Sequence, residues 1–119
     1  KQQFFICPHC GNIVAFVHRS GAPVPCCGEP MRELIPGTTE AAAEKHIPVY
    51  TVEGNTVTVD VGSVPHPMKV SLETKYGNQR RELPVTGAPS VRFPLEDGDE
   101  VKAVYAYCNL HGLWAANAD

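Results

Sequence analysis

Four thiols fall within the stretch from Cys7 to Cys27: the knuckle Cys7-Pro8-His9-Cys10 is followed, across a short spacer, by the adjacent pair Cys26-Cys27. Residues 1–36, which hold these four cysteines, offer little aliphatic material beyond Ile6, Ile13, Val14, Phe16 and Val17. It cannot close a hydrophobic core of ordinary size, so it needs a staple, and a bound metal ion contributes on the order of 10 kcal/mol to folding. A fifth cysteine, Cys108, lies far downstream in Cys108-Asn109-Leu110-His111, beside a histidine rather than another thiol. Five is an odd number, and adjacent cysteines are strained partners for each other, so a disulfide framework fits poorly. Reduced thiolates that bind metal fit better, in two sites of different chemistry.

At 119 residues the chain holds one packed domain and a small appendage. The division falls at the Pro36-Gly37-Thr38-Thr39 boundary: residues 1–36 form a metal-centred unit and residues 37–119 a second domain. A formal net charge of −3 and the absence of a Lys/Arg-rich run argue against nucleic acid, because phosphate binding needs clustered cations. No apolar run reaches the ~20 residues of a membrane span, and no secretory signal pattern opens the sequence, which begins at Lys1 without an initiator methionine. The expectation is a soluble cytoplasmic protein.

Gly11-Asn12 and Gly28 follow the two cysteine groups, where the backbone must turn tightly to aim amides at sulfur. Asn12 to His18 reads as a short strand, and Thr39 as the cap of a helical turn over Glu40–Glu44 that His46-Ile47-Pro48 ends. From Ile47 onward short alternating segments are punctuated by Gly, Pro, Asn and Asp, the texture of an all-β domain. Val49–Val52 and Thr56–Val61 flank a Gly54-Asn55 hairpin turn, with Val57, Val59 and Val61 on one buried face. Further strands are expected at 68–75, 80–84, 90–95 and 100–107, with Asp97-Gly98-Asp99 turning the last pair, and Leu113-Trp114-Ala115 closing the set. About seven strands of this kind suit a compact β-sandwich.

Four thiolates at tetrahedral spacing suit zinc or a single iron, and the ligand set alone does not choose. Zinc ribbons commonly use two Cys-x-x-Cys knuckles; here the second pair has no spacer, so its side chains must splay in opposite directions. The pattern of Cys7, Cys10, Cys26 and Cys27 resembles the rubredoxin-like centre of desulfoferrodoxin and desulforedoxin. His9 reads as an exposed spacer and His18 as a surface residue.

Glu44-Lys45-His46-Ile47-Pro48, His66-Pro67-Met68 and Cys108-Asn109-Leu110-His111-Gly112-Leu113-Trp114 follow in an order that is similar to the superoxide reductase domain of desulfoferrodoxin and neelaredoxin. The resemblance covers nearly the whole chain and implies an immunoglobulin-like sandwich. It also implies a ferrous ion held by equatorial histidines and an axial thiolate, with an open position for superoxide. His46, His66 and His111 match three of the family's four histidines and Cys108 the thiolate. The fourth histidine, six residues beyond the first of His-Pro-Met, is replaced by Leu72. Three histidines and a thiolate also form an acceptable tetrahedral zinc site. Lys45 and Glu44 match the residues that attract the anion, aid protonation and close onto the oxidised metal. The resemblance implies reduction of superoxide to hydrogen peroxide, a rubredoxin-like electron donor, a role against oxidative stress and a homodimer. Two other readings stand beside it: an electron carrier that uses only the tetrathiolate iron, and a structural zinc module.

Overall fold

Twelve β-strands and no helix make up the regular structure of residues 1–37, 47–62, 67–83 and 88–118, which are the residues described in the computed structural model. The helical turn expected over 40–44 lies outside them. The chain divides into two compact units, Lys1–Ile35 and Pro36–Asp119.

The first unit is built from strands too short to make a core. β1 (Phe4–Ile6) is the centre of an antiparallel sheet between β2 (Ile13–Ala15) and β5 (Arg32–Leu34), and β3 (Pro25–Cys26) and β4 (Glu29–Pro30) form a separate hairpin. Its buried apolar side chains are Phe4, Cys7 and Met31. The strand expected over 12–18 stops at Ala15. Phe16 leaves the ladder to set its ring edge against Phe5 at 5.1 Å, and the Arg19 guanidinium covers the Phe5 ring at 4.9 Å. Aromatic edge contact and cation–π attraction there win over continued pairing.

The second unit is a sandwich of two antiparallel sheets. One has the order β10-β7-β6, from β6 (Val49–Glu53), β7 (Thr56–Asp60) and β10 (Ser90–Pro94). The other has the order β12-β11-β8-β9, from β8 (Met68–Thr74), β9 (Gly77–Leu83), β11 (Val101–Cys108) and β12 (Gly112–Asn117). Gly54, at φ 60°, opens the two-residue loop between β6 and β7 in the pattern of a type II′ turn. The alternation in β7 does what the sequence indicates: Val57 and Val59 are fully buried against Phe93, while Thr56 and Asp60 are exposed. Val70, Leu72, Val104, Ala106 and Cys108 meet them from the other sheet in one continuous core.

Two expectations need correction. Asp97-Gly98-Asp99 does not turn a hairpin, because among the described residues β10 pairs only with β7; the turn carries the chain from one sheet to the other. Asp99 fixes the crossing, accepting from the Thr74 hydroxyl at 2.8 Å and the Tyr76 amide at 3.1 Å. β9 also begins at Gly77, earlier than its composition indicates, because the Lys75-Tyr76 loop closes a tight hairpin with Thr74 opposite Gly77.

Leu72 is a core residue with no exposed surface, opposite Val104 on β11 and Gln79 on β9. Val104 is four residues from Cys108, which at ~3.3 Å per residue is about 13 Å along the strand. One further step in the register that pairs Tyr107 with Lys69 brings Met68, not Leu72, beside Cys108. Position 72 therefore faces packed aliphatic side chains rather than the Cys108 sulfur. Leu72→His is expected to cost about 3–5 kcal/mol through lost packing and a buried imidazole, without adding a metal ligand. Urea unfolding followed by the fluorescence of Trp114, the single tryptophan, measures this; an unshifted midpoint would mean that position 72 tolerates a polar ring.

Candidate metal centres

The β1–β2 hairpin forms the first half of the tetrathiolate site. The Cys7 amide donates to the Asn12 carbonyl at 2.9 Å and the Gly11 amide to the Cys7 carbonyl at 3.0 Å, so the loop folds back tightly. Gly11, at φ 82°, makes that reversal without a Cβ penalty. The Cys10 amide then points at the Cys7 sulfur, 3.4 Å away.

The second half is the β3–β4 hairpin, and it answers how neighbouring cysteines serve one ion. Cys26 pairs with Glu29, which leaves Cys27-Gly28 as a two-residue loop with φ of 52° and 85°. Both are positive, the pattern of a type I′ turn. Cys27 is the one non-glycine residue at positive φ among the described residues, at a cost of about 1–2 kcal/mol. That rotation brings its side chain to the same side as that of Cys26, which strand alternation would otherwise prevent.

All four sulfurs lie within 4.8 Å of one another, with Cys10 and Cys26 at 3.6 Å. A tetrahedron with metal–sulfur bonds of ~2.3 Å has edges of ~3.8 Å. The four cysteines are unbridged, so the donor set fits a tetrahedral zinc or iron ion. Cys7 is buried whereas Cys10 and Cys27 are exposed, which leaves one side of the centre open to solvent. His9 is an exposed spacer as expected, but it is not idle. Its Nε2 meets Glu29 at 2.7 Å and ties the two cysteine hairpins together across the site. That contact raises the His9 pKa and lowers that of Glu29. Each residue is ordinary alone, and only the fold brings the knuckle and the turn together.

Cys108 is the last residue of β11 and is buried at the edge of the core. It pairs with Gly112, so Asn109–His111 form the loop to β12. The His111 amide donates to the Cys108 sulfur at 3.3 Å, and His111 Nδ1 lies 3.4 Å from the same sulfur. Two ligands at ~2.3 and ~2.1 Å from one ion are ~3.1 Å apart at a right angle and ~3.6 Å apart at the tetrahedral angle. The observed spacing fits both. Trp114 Nε1 donates to the His111 carbonyl at 2.8 Å and pins the loop, a contact with no signature in the sequence. Burial, and then the charge of Cys108, raises the pKa of the neighbouring Tyr107 phenol. His46, His66, Lys45 and Glu44 lie outside the described residues.

The desulfoferrodoxin family model matches residues 38–117, and the model for the desulfoferrodoxin N-terminal domain matches residues 1–34. The chain belongs to the desulfoferrodoxin family. It is 40% identical to the desulfoferrodoxin of Nitratidesulfovibrio vulgaris over 128 aligned positions, covering 99% of this chain and 98% of the relative. It is 42% identical to the desulfoferrodoxin homolog of Archaeoglobus fulgidus, covering 94% of each. Among solved structures, the superoxide reductase from Treponema pallidum superposes with a TM-score of 0.79 at 36% identity, covering 98% of both chains. Membership makes this an iron-binding oxidoreductase with a desulforedoxin-like first unit and a β-sandwich second unit. No helix among the described residues is long and apolar enough to cross a membrane.

The proton inventory of the desulfoferrodoxin tetrathiolate site fixes its pH response. Donation from the Cys10 amide lowers Cys7 to about 6. Hydrogen bonding with Cys10 raises Cys26 and pushes Cys27 up to about 12. A metal binds thiolates, so at neutral pH its entry must expel at least the protons of Cys26 and Cys27. Apparent affinity of the metal-free protein for zinc is therefore expected to fall by at least about a hundredfold for each unit of acidification. Competition with a chromophoric chelator from about pH 8 to about pH 6 measures the slope; a flat profile would exclude binding through these protonated thiols.

Proposed function

We propose that this chain reduces superoxide to hydrogen peroxide at an iron held by His46, His66, Cys108 and His111, consuming one electron and two protons for each superoxide. The observation that carries the reading is the Cys108–His111 loop, where a buried sulfur and an imidazole nitrogen 3.4 Å apart share one side of a hairpin. The similarity to the superoxide reductase from Treponema pallidum over nearly the whole chain supports it. Bound iron would supply the one-electron reduction.

The chain's own residues do the rest. Cys108 presents an electron-rich thiolate, and the His111 amide donates to it and tempers its charge, as such donors do around axial thiolates. Lys45 draws the small anion against the net charge of −3, because fields from distant exposed charges are screened within ~8–10 Å. Lys45 would also aid delivery of a proton to the product, and Glu44 would be available as a carboxylate ligand to an oxidised iron. An iron held by the four cysteines would take electrons from a rubredoxin-like donor, and the exposure of Cys10 and Cys27 supports this reading. A cytoplasmic homodimer acting against oxidative stress completes the reading, with zinc as a substitute metal.

A second reading has its own support. The core-facing residues of β8 are Met68, Val70 and Leu72, which offer no imidazole, carboxylate or thiolate to replace the family's fourth histidine. A weakly held second iron would leave an electron carrier that works through the four cysteines alone.

Superoxide generated by pulse radiolysis, followed in anaerobically purified and iron-assayed protein, separates the two. For the reductase, Cys108→Ser is expected to remove the sulfur-to-iron absorption of the second site, keep that of the tetrathiolate site, and slow superoxide decay at least ~100-fold. Lys45→Ala is expected to slow it ~10-fold and flatten its dependence on ionic strength. Decay in the iron-loaded native protein no faster than in buffer would leave the carrier.

A further inference from the structure

The two halves of the tetrathiolate site do not serve their sulfurs equally. In the first, the residues between Cys7 and Cys10 let the Cys10 amide fold back onto the Cys7 sulfur at 3.4 Å. In the second there are no residues between Cys26 and Cys27, and Glu29, three residues beyond Cys26, is its ladder partner in the hairpin. The turn that lets both side chains reach one ion thus commits the residue that would otherwise supply a backbone donor. What points at the Cys26 sulfur is the Asn12 side chain, from the neighbouring hairpin, with Nδ2 at 3.8 Å. The nitrogen must face inward, since the alternative rotamer would set a carbonyl oxygen against a thiolate.

We infer that Asn12 is a positioning residue that sets the reduction potential of the tetrathiolate centre, its amide replacing the backbone donor that an adjacent cysteine pair cannot provide. A ferrous tetrathiolate carries one more negative charge than a ferric one, so a donor at sulfur favours the reduced form and raises the potential. Asn12 also holds its own place in the fold: its carbonyl accepts the Cys7 amide at 2.9 Å, so the donor to Cys26 is fixed by the same hairpin that shapes the Cys7 knuckle. The inference needs iron among the four cysteines and is independent of superoxide turnover at the second site.

The test is a redox titration of the whole iron-loaded protein, with dithionite as reductant and mediator dyes, read in the ferric thiolate absorption. Asn12→Ala removes the donor alone, and Asn12→Asp replaces it with a negative acceptor. Both are expected to retain one tetrathiolate iron per chain and to lower the midpoint potential, Asp by more than Ala. For Asn12→Ala the ferrous-to-ferric ratio at the native midpoint should fall about tenfold, or about 59 mV for a one-electron couple. An unchanged or raised potential in the Ala variant would overturn the inference. Should either variant fail to hold iron, the native protein loaded with cadmium-113 decides: scalar coupling between the metal and the Asn12 side-chain amide protons supports the bond, and its absence at full occupancy overturns it.

Discussion

Four sulfurs drawn to within 4.8 Å of one another repel as thiolates unless a cation lies between them, and the first unit is organised around that requirement. With Phe4, Cys7 and Met31 as its buried apolar side chains, the unit cannot rely on packing. It also bears the conformational cost of Cys27 at positive φ. Both are tolerable where metal–sulfur bonds are available, because metal binding and folding then become one equilibrium. The His9–Glu29 contact is exposed, and in water such a pair adds little stability by itself. Its value lies in holding two otherwise separate hairpins at the spacing the ion needs.

The second unit follows the opposite logic. Its sandwich core is complete through Phe93, Val104 and Leu72, and needs no ion to close. Cys108 belongs to that core and also ends it, so the sulfur is positioned by packing from one side and by the His111 loop from the other. Trp114 reinforces the loop through the His111 carbonyl, while its ring lies where a Cβ added at Gly37 would meet it at 3.7 Å. A ligand rooted in a packed sheet keeps its place whether or not a metal is bound.

Much of this was legible in the residues, and the remainder fails for identifiable reasons. Alternation in Thr56–Asp60 and the Gly54-Asn55 pair carry their structure locally, so β6, β7 and their turn could be read directly. The spacing of Cys7, Cys10, Cys26 and Cys27 carried the first site because knuckle chemistry is local as well. The partner of β10 was not legible, since a turn such as Asp97-Gly98-Asp99 looks the same whether it joins neighbours or crosses between sheets. Leu72 misled for a related reason. Counting six residues from His66 assumes the family's spacing, whereas the register of β8 against β11 sets which side chain stands beside Cys108. Alignment to the Nitratidesulfovibrio relative spans 128 positions against 119 residues here, so this chain is shorter somewhere along that alignment. Asn12 could not be assigned because its partner Cys26 lies on another hairpin, and Trp114 because a local ring-to-carbonyl bond has no signature in residue type or spacing.

The same local device recurs in both units. Cys7-Pro8-His9-Cys10-Gly11 and Cys108-Asn109-Leu110-His111-Gly112 each stand at the end of a strand, fold the fourth residue's amide onto the first sulfur at 3.4 and 3.3 Å, and end on a glycine at φ 82° and 81°. The backbone solution is shared; the fourth side chain differs. With Cys10 in that place the loop offers two thiolates, and a matching pair saturates a tetrahedron with a large negative charge that stabilises ferric iron. With His111 it offers one thiolate and one neutral imidazole, so a metal bound there keeps more positive charge and more appetite for an anion. Exchanging sulfur for nitrogen at one position of one loop therefore changes the charge that the same backbone device presents to a metal, from two thiolates to one thiolate and one imidazole.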